Sequence, residues 1–230
     1  MGLYDRQYAN NQSVQSEMAR SESATVSFVK ETYKLFGASM LAGAVGAYVG
    51  VPMAATIHSM FFPLFILEIA LLIGLHFVKN KPGINLAVMF GFTFMTGIML
   101  APLLSMAMVI NSSAIGNAFA MTAFIFGGMS LFAIKTTKDF TSYGKPLMIA
   151  LIVVVAFSIV NIFLGSPLMM VIISGAVVML FTVLIVYDTQ NILKGNYAHP
   201  IDGAIALYLD FLNIFTALLQ LILAFGGSDD

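Results

Sequence analysis

Residues 168–190 read LMMVIISGAVVMLFTVLIVYDTQ and residues 203–225 read GAIALYLDFLNIFTALLQLILAF. Each is an apolar run of about 20 residues, the length an α-helix needs to cross the hydrocarbon of a bilayer. Each also carries one aspartate well inside it, Asp188 and Asp210. The apolar runs make lipid the solvent, and the acids require a polar interior sheltered from that lipid. Only a short break separates the two runs, so two helices traverse in opposite directions with an acid at similar depth on each.

Working outward, five further runs of the same kind occupy residues 34–56, 59–78, 84–108, 116–134 and 146–165. They are too long and too evenly apolar for barrel strands, and helices alone satisfy their own backbone groups in lipid. The fold expected is an all-α membrane protein, a seven-transmembrane-helix bundle. Composition agrees: of 230 residues, 60% are hydrophobic and 9% charged, and mean hydropathy is +0.95. So few charges cannot keep a free-standing soluble enzyme in solution, and so apolar a chain is not disordered. The chain has no cysteine, which excludes disulfides, thiolate metal sites, a cysteine nucleophile and palmitoylation. A net charge of −1 implies no nucleic-acid partner.

Residues 1–29 differ, being rich in Ser, Asn, Gln and charge. They read as a mobile cytoplasmic tail ahead of a transmembrane domain over 30–230. No apolar core follows the first basic residues, so the segment is not a signal peptide, and Arg6 stands where myristoylation wants Ser or Thr. With seven spans, all ten basic residues fall on one side: Arg6, Arg20, Lys30, Lys34, Lys79, Lys81, Lys135, Lys138, Lys145 and Lys194. The positive-inside rule then puts the N-terminus in the cytoplasm and the C-terminus outside. In the first span Ala38, Ala42, Gly46 and Gly50 place a small residue at every fourth position, a face for close helix packing. Pro102 is expected to kink the third span.

Asp188 lies six residues before Lys194, roughly 9 Å below that interface at 1.5 Å per residue, and Asp210 is roughly 10 Å in from the same side. Facing carboxylates in a poorly solvated site compete for one proton. Such a pair can tie two helices together, or switch with proton uptake and bind a cation such as Ca²⁺ through its oxygens. Asp210, Asn213, Thr216 and Gln220 fall within a sector of roughly 120° on the last span, so that helix is expected at the centre of the bundle. Asn191, one turn beyond Asp188, can hydrogen-bond the pair. Glu68, near mid-membrane, either coordinates a cation on its way to the pair or bonds to a neighbouring helix. Lys79 reads as an interfacial anchor. His58 and His199 are expected on opposite sides, which excludes a three-histidine site.

The run Val186-Tyr187-Asp188-Thr189-Gln190-Asn191-Ile192-Leu193, followed by Ala206-Leu207-Tyr208-Leu209-Asp210-Phe211-Leu212-Asn213-Ile214-Phe215, closely resembles the C-terminal signature of the Bax inhibitor-1 family. The resemblance covers residues 30–225. It implies seven helices with the last enclosed by the other six, and a pH-sensitive calcium leak gated by an aspartate pair, here Asp188 and Asp210. It also implies an acid on the second helix, matched by Glu68, and a basic residue near the cytoplasmic end of that helix that contacts the pair in some members, matched by Lys79. Lysine cannot form the planar two-point bond that arginine forms with a carboxylate. Bacterial members are linked to membrane-bound AAA proteases, and eukaryotic ones to cell-death regulation.

The reading is thus a cation-permeable, calcium-leak membrane protein gated by the Asp188–Asp210 pair, with the bilayer and cations as partners, no resident cofactor, and Ca²⁺ as permeant ion. Glu68, Lys79, Asn191, Asn213 and Gln220 are its supporting polar residues, and a bacterial inner membrane is its expected location. A second reading is a non-transporting regulator that binds a membrane protease or another partner. A third is an intramembrane aspartyl protease, which Tyr187-Asp188 resembles; against it, Leu207-Tyr208-Leu209 stands where Gly-x-Gly is required, and no Pro-Ala-Leu follows. The expectation is a protein that is not an enzyme.

Overall fold

The computed structural model describes the backbone of residues 3–226 and the side chains of residues 22–226. Residues 1–2 and 227–230 and the side chains of the expected tail up to position 21 lie outside the described residues. Ten helical elements follow one another: α1 (Leu3–Gly50), a 3₁₀ turn (Val51–Met53), α2 (Ala54–Ser59), α3 (Phe61–Val78), α4 (Ile84–Ile110), α5 (Ser113–Lys135), a second 3₁₀ turn (Thr141–Tyr143), α6 (Gly144–Leu164), α7 (Pro167–Leu193) and α8 (Pro200–Gly226). The described residues contain no strand.

Seven segments among the described residues are long and apolar enough to span a bilayer: Glu22–Ser59, Phe61–Val78, Ile84–Ile110, Ser113–Lys135, Thr141–Leu164, Pro167–Leu193 and Pro200–Gly226. They coincide with the seven expected runs, the largest difference being at the start of the first. There α1 continues unbroken from Leu3, because no glycine or proline interrupts residues 3–36. Pro102 lies inside α4, which carries on through it to Ile110. Gly165, at φ 60°, ends α6 in the left-handed conformation that glycine adopts without strain. The adjoining Ser166 hydroxyl accepts from Met169 N at 3.3 Å and so starts α7.

Helix α8 is the centre. In its most apolar stretch 56% of the residues are buried, against no more than 33% in any other span, and it packs on α1, α4, α5 and α7. Helices α3 and α6 face lipid along most of their length. Lipid tails are as apolar as leucine, so exclusion from water does not hold such a bundle together; close packing and interhelical hydrogen bonds do. The tightest approach is between α1 and α4. A Cβ on Gly46 would meet the carbonyl oxygen of Phe94, and one on Gly97 the carbonyl oxygen of Gly43. The packed face of α1 is Ser39, Gly43, Gly46 and Gly50, with Ala38 and Ala42 only half-buried. The expected every-fourth stripe shares Gly46 and Gly50 with this face and leaves it at Ala38 and Ala42, because four residues advance 400°, a drift of roughly 40° per step, whereas alternating steps of four and three hold one face.

Two ion pairs gather the loops at one end. Lys79 Nζ lies 3.8 Å from Asp202 Oδ2, joining the end of α3 to the start of α8. Lys194 Nζ lies 2.6 Å from Asp139 Oδ1, joining the α7–α8 loop to the α5–α6 loop. The loops that carry Lys79, Lys138 and Lys194 therefore meet at a single basic end of the bundle.

Candidate functional site

The last turns of α7 are enclosed on every side. Asp188, Thr189, Gln190, Asn191 and Ile192 are all buried in succession, a run that a helix packed on one face cannot produce. Helix α8 covers one side of this segment, and the α5–α6 and α7–α8 loops fold over the rest.

Gln190 and Asn191 hold the loops that cover the segment, whereas Thr189 Oγ1 has no hydrogen-bond partner. Gln190 clamps the α5–α6 loop: its Oε1 accepts from Phe140 N at 2.7 Å, and its Nε2 donates to Lys138 O at 2.9 Å and Ala133 O at 3.4 Å. Asn191 Nδ2 donates to Tyr187 O at 2.9 Å, and its Oδ1 accepts from Asn196 Nδ2 at 2.8 Å. Asn191 thus organises the α7–α8 loop and does not bond the aspartates. Outside the spans, the Lys194 ammonium, followed by the Thr141 hydroxyl and N–H, holds the Asp139 carboxyl at about 2, below its ordinary 3.8.

Asp188 and Asp210 are 6% and 2% exposed, and their carboxyl groups lie within hydrogen-bonding reach of each other. Two carboxylates have no donor between them; a single proton supplies one. Without it Asp210 Oδ2 has no partner. A third group completes the site: the Tyr197 hydroxyl donates to Asp188 Oδ1 at 2.6 Å. Burial first, then the facing Asp188 carboxylate, pushes the Tyr197 phenol well above the ordinary tyrosine range, so it stays a donor.

The remaining sequence-predicted residues lie elsewhere. Lys79 is engaged with Asp202, and Asn85 Nδ2 donates to its carbonyl at 3.0 Å. Glu68 is half-buried on α3 and bears electrostatically on Tyr208. Tyr208 is buried, with its hydroxyl donating to Thr93 O at 3.1 Å and paired with the Thr96 hydroxyl. Positions 208 and 210 point roughly 160° apart on a helix, so α8 turns Tyr208 toward α4 and Asp210 toward α7. Along the expected polar stripe, Asn213 Nδ2 donates to Leu209 O at 2.8 Å and Thr216 to Asn213 O at 3.0 Å. Gln220 Oε1 accepts from Ser174 Oγ of α7 at 2.8 Å. The cavity of about 170 Å³ beside α8 lies against its apolar residues Phe211, Leu212 and Phe215 instead.

Sequence reasoning missed Tyr197, Gln190 and the Lys194–Asp139 pair. The one available signal for Tyr197 was the brevity of its loop, which keeps a large side chain within reach of both aspartates.

Comparison with known proteins places the chain among membrane proteins. A family model described as inhibitor of apoptosis-promoting Bax1 matches residues 25–228. An uncharacterized protein of Helicobacter pylori is 47% identical over the whole of both chains. One from Campylobacter jejuni is 46% identical over 99% of this chain and all of its own. The inner membrane protein YbhL of Escherichia coli is 33% identical over 69% of this chain and 72% of its own.

Proposed function

This chain belongs to the Bax inhibitor-1 family, and from that premise we propose that it is a pH-sensitive calcium leak gated by Asp188 and Asp210. The observation that carries the reading is the meeting of these two carboxyl groups, buried on consecutive helices close to the basic end of the bundle. One proton between them ties α7 to α8. Its loss leaves two like charges and no donor, which loosens that contact. Ca²⁺ takes six to eight oxygen ligands, and two carboxylates supply too few for a resident ion, so the cation is cargo in transit. The basic end lies in the cytoplasm on this reading, and the membrane is a bacterial inner membrane, as it is for the relative YbhL, an inner membrane protein. The protein is read as non-enzymatic.

The test is Ca²⁺ flux in proteoliposomes across a range of pH. Asp188→Asn and Asp210→Asn each install a permanent amide donor and are expected to flatten the pH profile. Unchanged profiles in both variants remove the pair from gating.

One observation favours the regulator reading. Gln220, one of the expected ion-path residues, has its side-chain oxygen engaged by the Ser174 hydroxyl, which leaves that oxygen less to offer a passing ion. Absence of flux from the intact protein at every pH selects that reading, with a membrane protease as the partner to seek by pull-down.

A further inference from the structure

The α7–α8 loop closes over the aspartate pair, and it does so with a neutral hydroxyl. The loop is short, residues 194–199 between the end of α7 and the start of α8. Gly195, at φ 66°, reverses the chain, its N–H bonding Ile192 O at 3.1 Å. Asn196 then clips the loop to α7 twice, through its backbone N–H to Asn191 O at 2.9 Å and its side chain to Asn191 Oδ1. Those two bonds aim Tyr197 inward, where its hydroxyl reaches Asp188 Oδ1. Among the described residues the titratable groups that bear on this phenol are Asp188, Asp210 and Tyr187. Lys79, the basic residue expected from the family resemblance to contact the pair, is instead held by Asp202.

We propose that Tyr197 is the latch of a stopper formed by residues 194–199, which separates the aspartate pair from water at the basic end of the bundle. The stopper opens by swinging about Gly195 once the Tyr197–Asp188 hydrogen bond and the Asn196–Asn191 clip let go. Its role in gating rests on the proposed function of the pair; its role as a barrier to water does not. Tyr197 is a positioning residue on this view, and it acts by holding a cover in place. Because the latch carries no charge, its grip is insensitive to ionic strength, unlike a lysine–carboxylate latch, which salt screens.

The absence of native cysteine makes the test direct. Leu207 is fully buried and lies one turn from Asp210 toward the basic end. In the full-length protein carrying Leu207→Cys, reconstituted in lipid nanodiscs, the rate of labelling by a small water-soluble methanethiosulfonate reads access beneath the loop. Adding Tyr197→Phe keeps the ring and removes the bond, and is expected to raise the rate at least ~10-fold, in line with loss of a hydrogen bond to a charged acceptor. Asn196→Ala removes the side-chain half of the clip, leaves the phenol intact and is also expected to raise the rate. Lys79→Met removes a residue outside the latch and is expected to label at the parent rate.

Parent-rate labelling in folded Tyr197→Phe and Asn196→Ala overturns the proposal. Should Tyr197→Phe not fold, Asn196→Ala decides alone. Faster labelling in Lys79→Met but not in Asn196→Ala overturns it in favour of a lysine latch. Labelling requires no flux. Accelerated labelling in the latch variants with no Ca²⁺ flux in any protein keeps the stopper and discards the channel; pH-dependent flux with unchanged labelling does the reverse.

Discussion

Replacing Gly97 by alanine places one methyl group where α1 and α4 touch backbone to backbone. A Cβ there would meet the Gly43 carbonyl oxygen, with the carbonyl carbon at 2.8 Å and Ala47 N at 2.9 Å. None of these atoms can rotate aside, because each belongs to the middle of a helix. Restoring ordinary contact, near 3.5–4.0 Å between carbons, requires the helices to part by roughly 1 Å. Overpacking of this kind costs about 1–3 kcal/mol. Alanine also returns up to about 1 kcal/mol of helix propensity, which hides part of the loss. Gly128→Ala on α5 isolates that gain, since nothing lies within 4 Å of a Cβ there. In the comparison of the two variants the propensity gain cancels and the steric cost is left. At about 2–4 °C per kcal/mol for a chain of this length, Gly97→Ala should melt roughly 2–12 °C below Gly128→Ala. Far-ultraviolet circular dichroism of both proteins in one detergent measures this. Gly97→Ala melting at or above Gly128→Ala would mean that α1 and α4 do not meet at their backbones.

Three further outcomes are expected. Gln190→Leu removes the partner of Phe140 N–H and of Lys138 O, both part-buried, at about 0.5–1.5 kcal/mol for each hydrogen bond lost; limited proteolysis should then cut residues 136–143 faster, and unaltered cutting would discount the clamp. Lys194→Met should return the Asp139 carboxyl from about 2 toward its ordinary 3.8, as read by carbon NMR of labelled aspartate. Since that carboxyl is depressed in the folded protein, its contribution to loop order is present above its unfolded value and lost as pH falls from about 3.8 toward 2. Single cysteines replacing Lys81 and Lys138 should label from one face of the membrane, and those replacing Asn111 and Gly165 from the other; labelling of positions 81 and 138 from opposite faces would break the seven-span topology.

The spans were legible because crossing a bilayer is a local requirement. A segment qualifies by its own length and apolarity, whatever it packs against, so residues 168–190 and 203–225 could be recognised without any neighbour. The depth of Asp188 and Asp210 followed from a fixed rise per residue, and the collection of lysines at one end from counting spans. The candidate pair was readable for the same reason: a costly charge in an apolar run needs a partner, and the next span offers one at matching depth. The packing face of α1 was only half readable, since Ala38 and Ala42 are small enough to qualify but turn partly away. Lys79 was misleading in isolation, because its distance along α3 says nothing of which acid on α8 it reaches.

By itself, then, the order of residues determined how many times this chain crosses the bilayer, which loops share an end, and which two acids lie at one level. Tertiary structure alone decided that Tyr197 and not Lys79 reaches Asp188, that Gln190 grips the α5–α6 loop, and that Asn191 serves the α7–α8 loop. The physical reason is rotational. Sequence sets each side chain's height along its helix, whereas the angle at which it points, and the path of the loop that meets it, emerge only when all seven spans pack against one another.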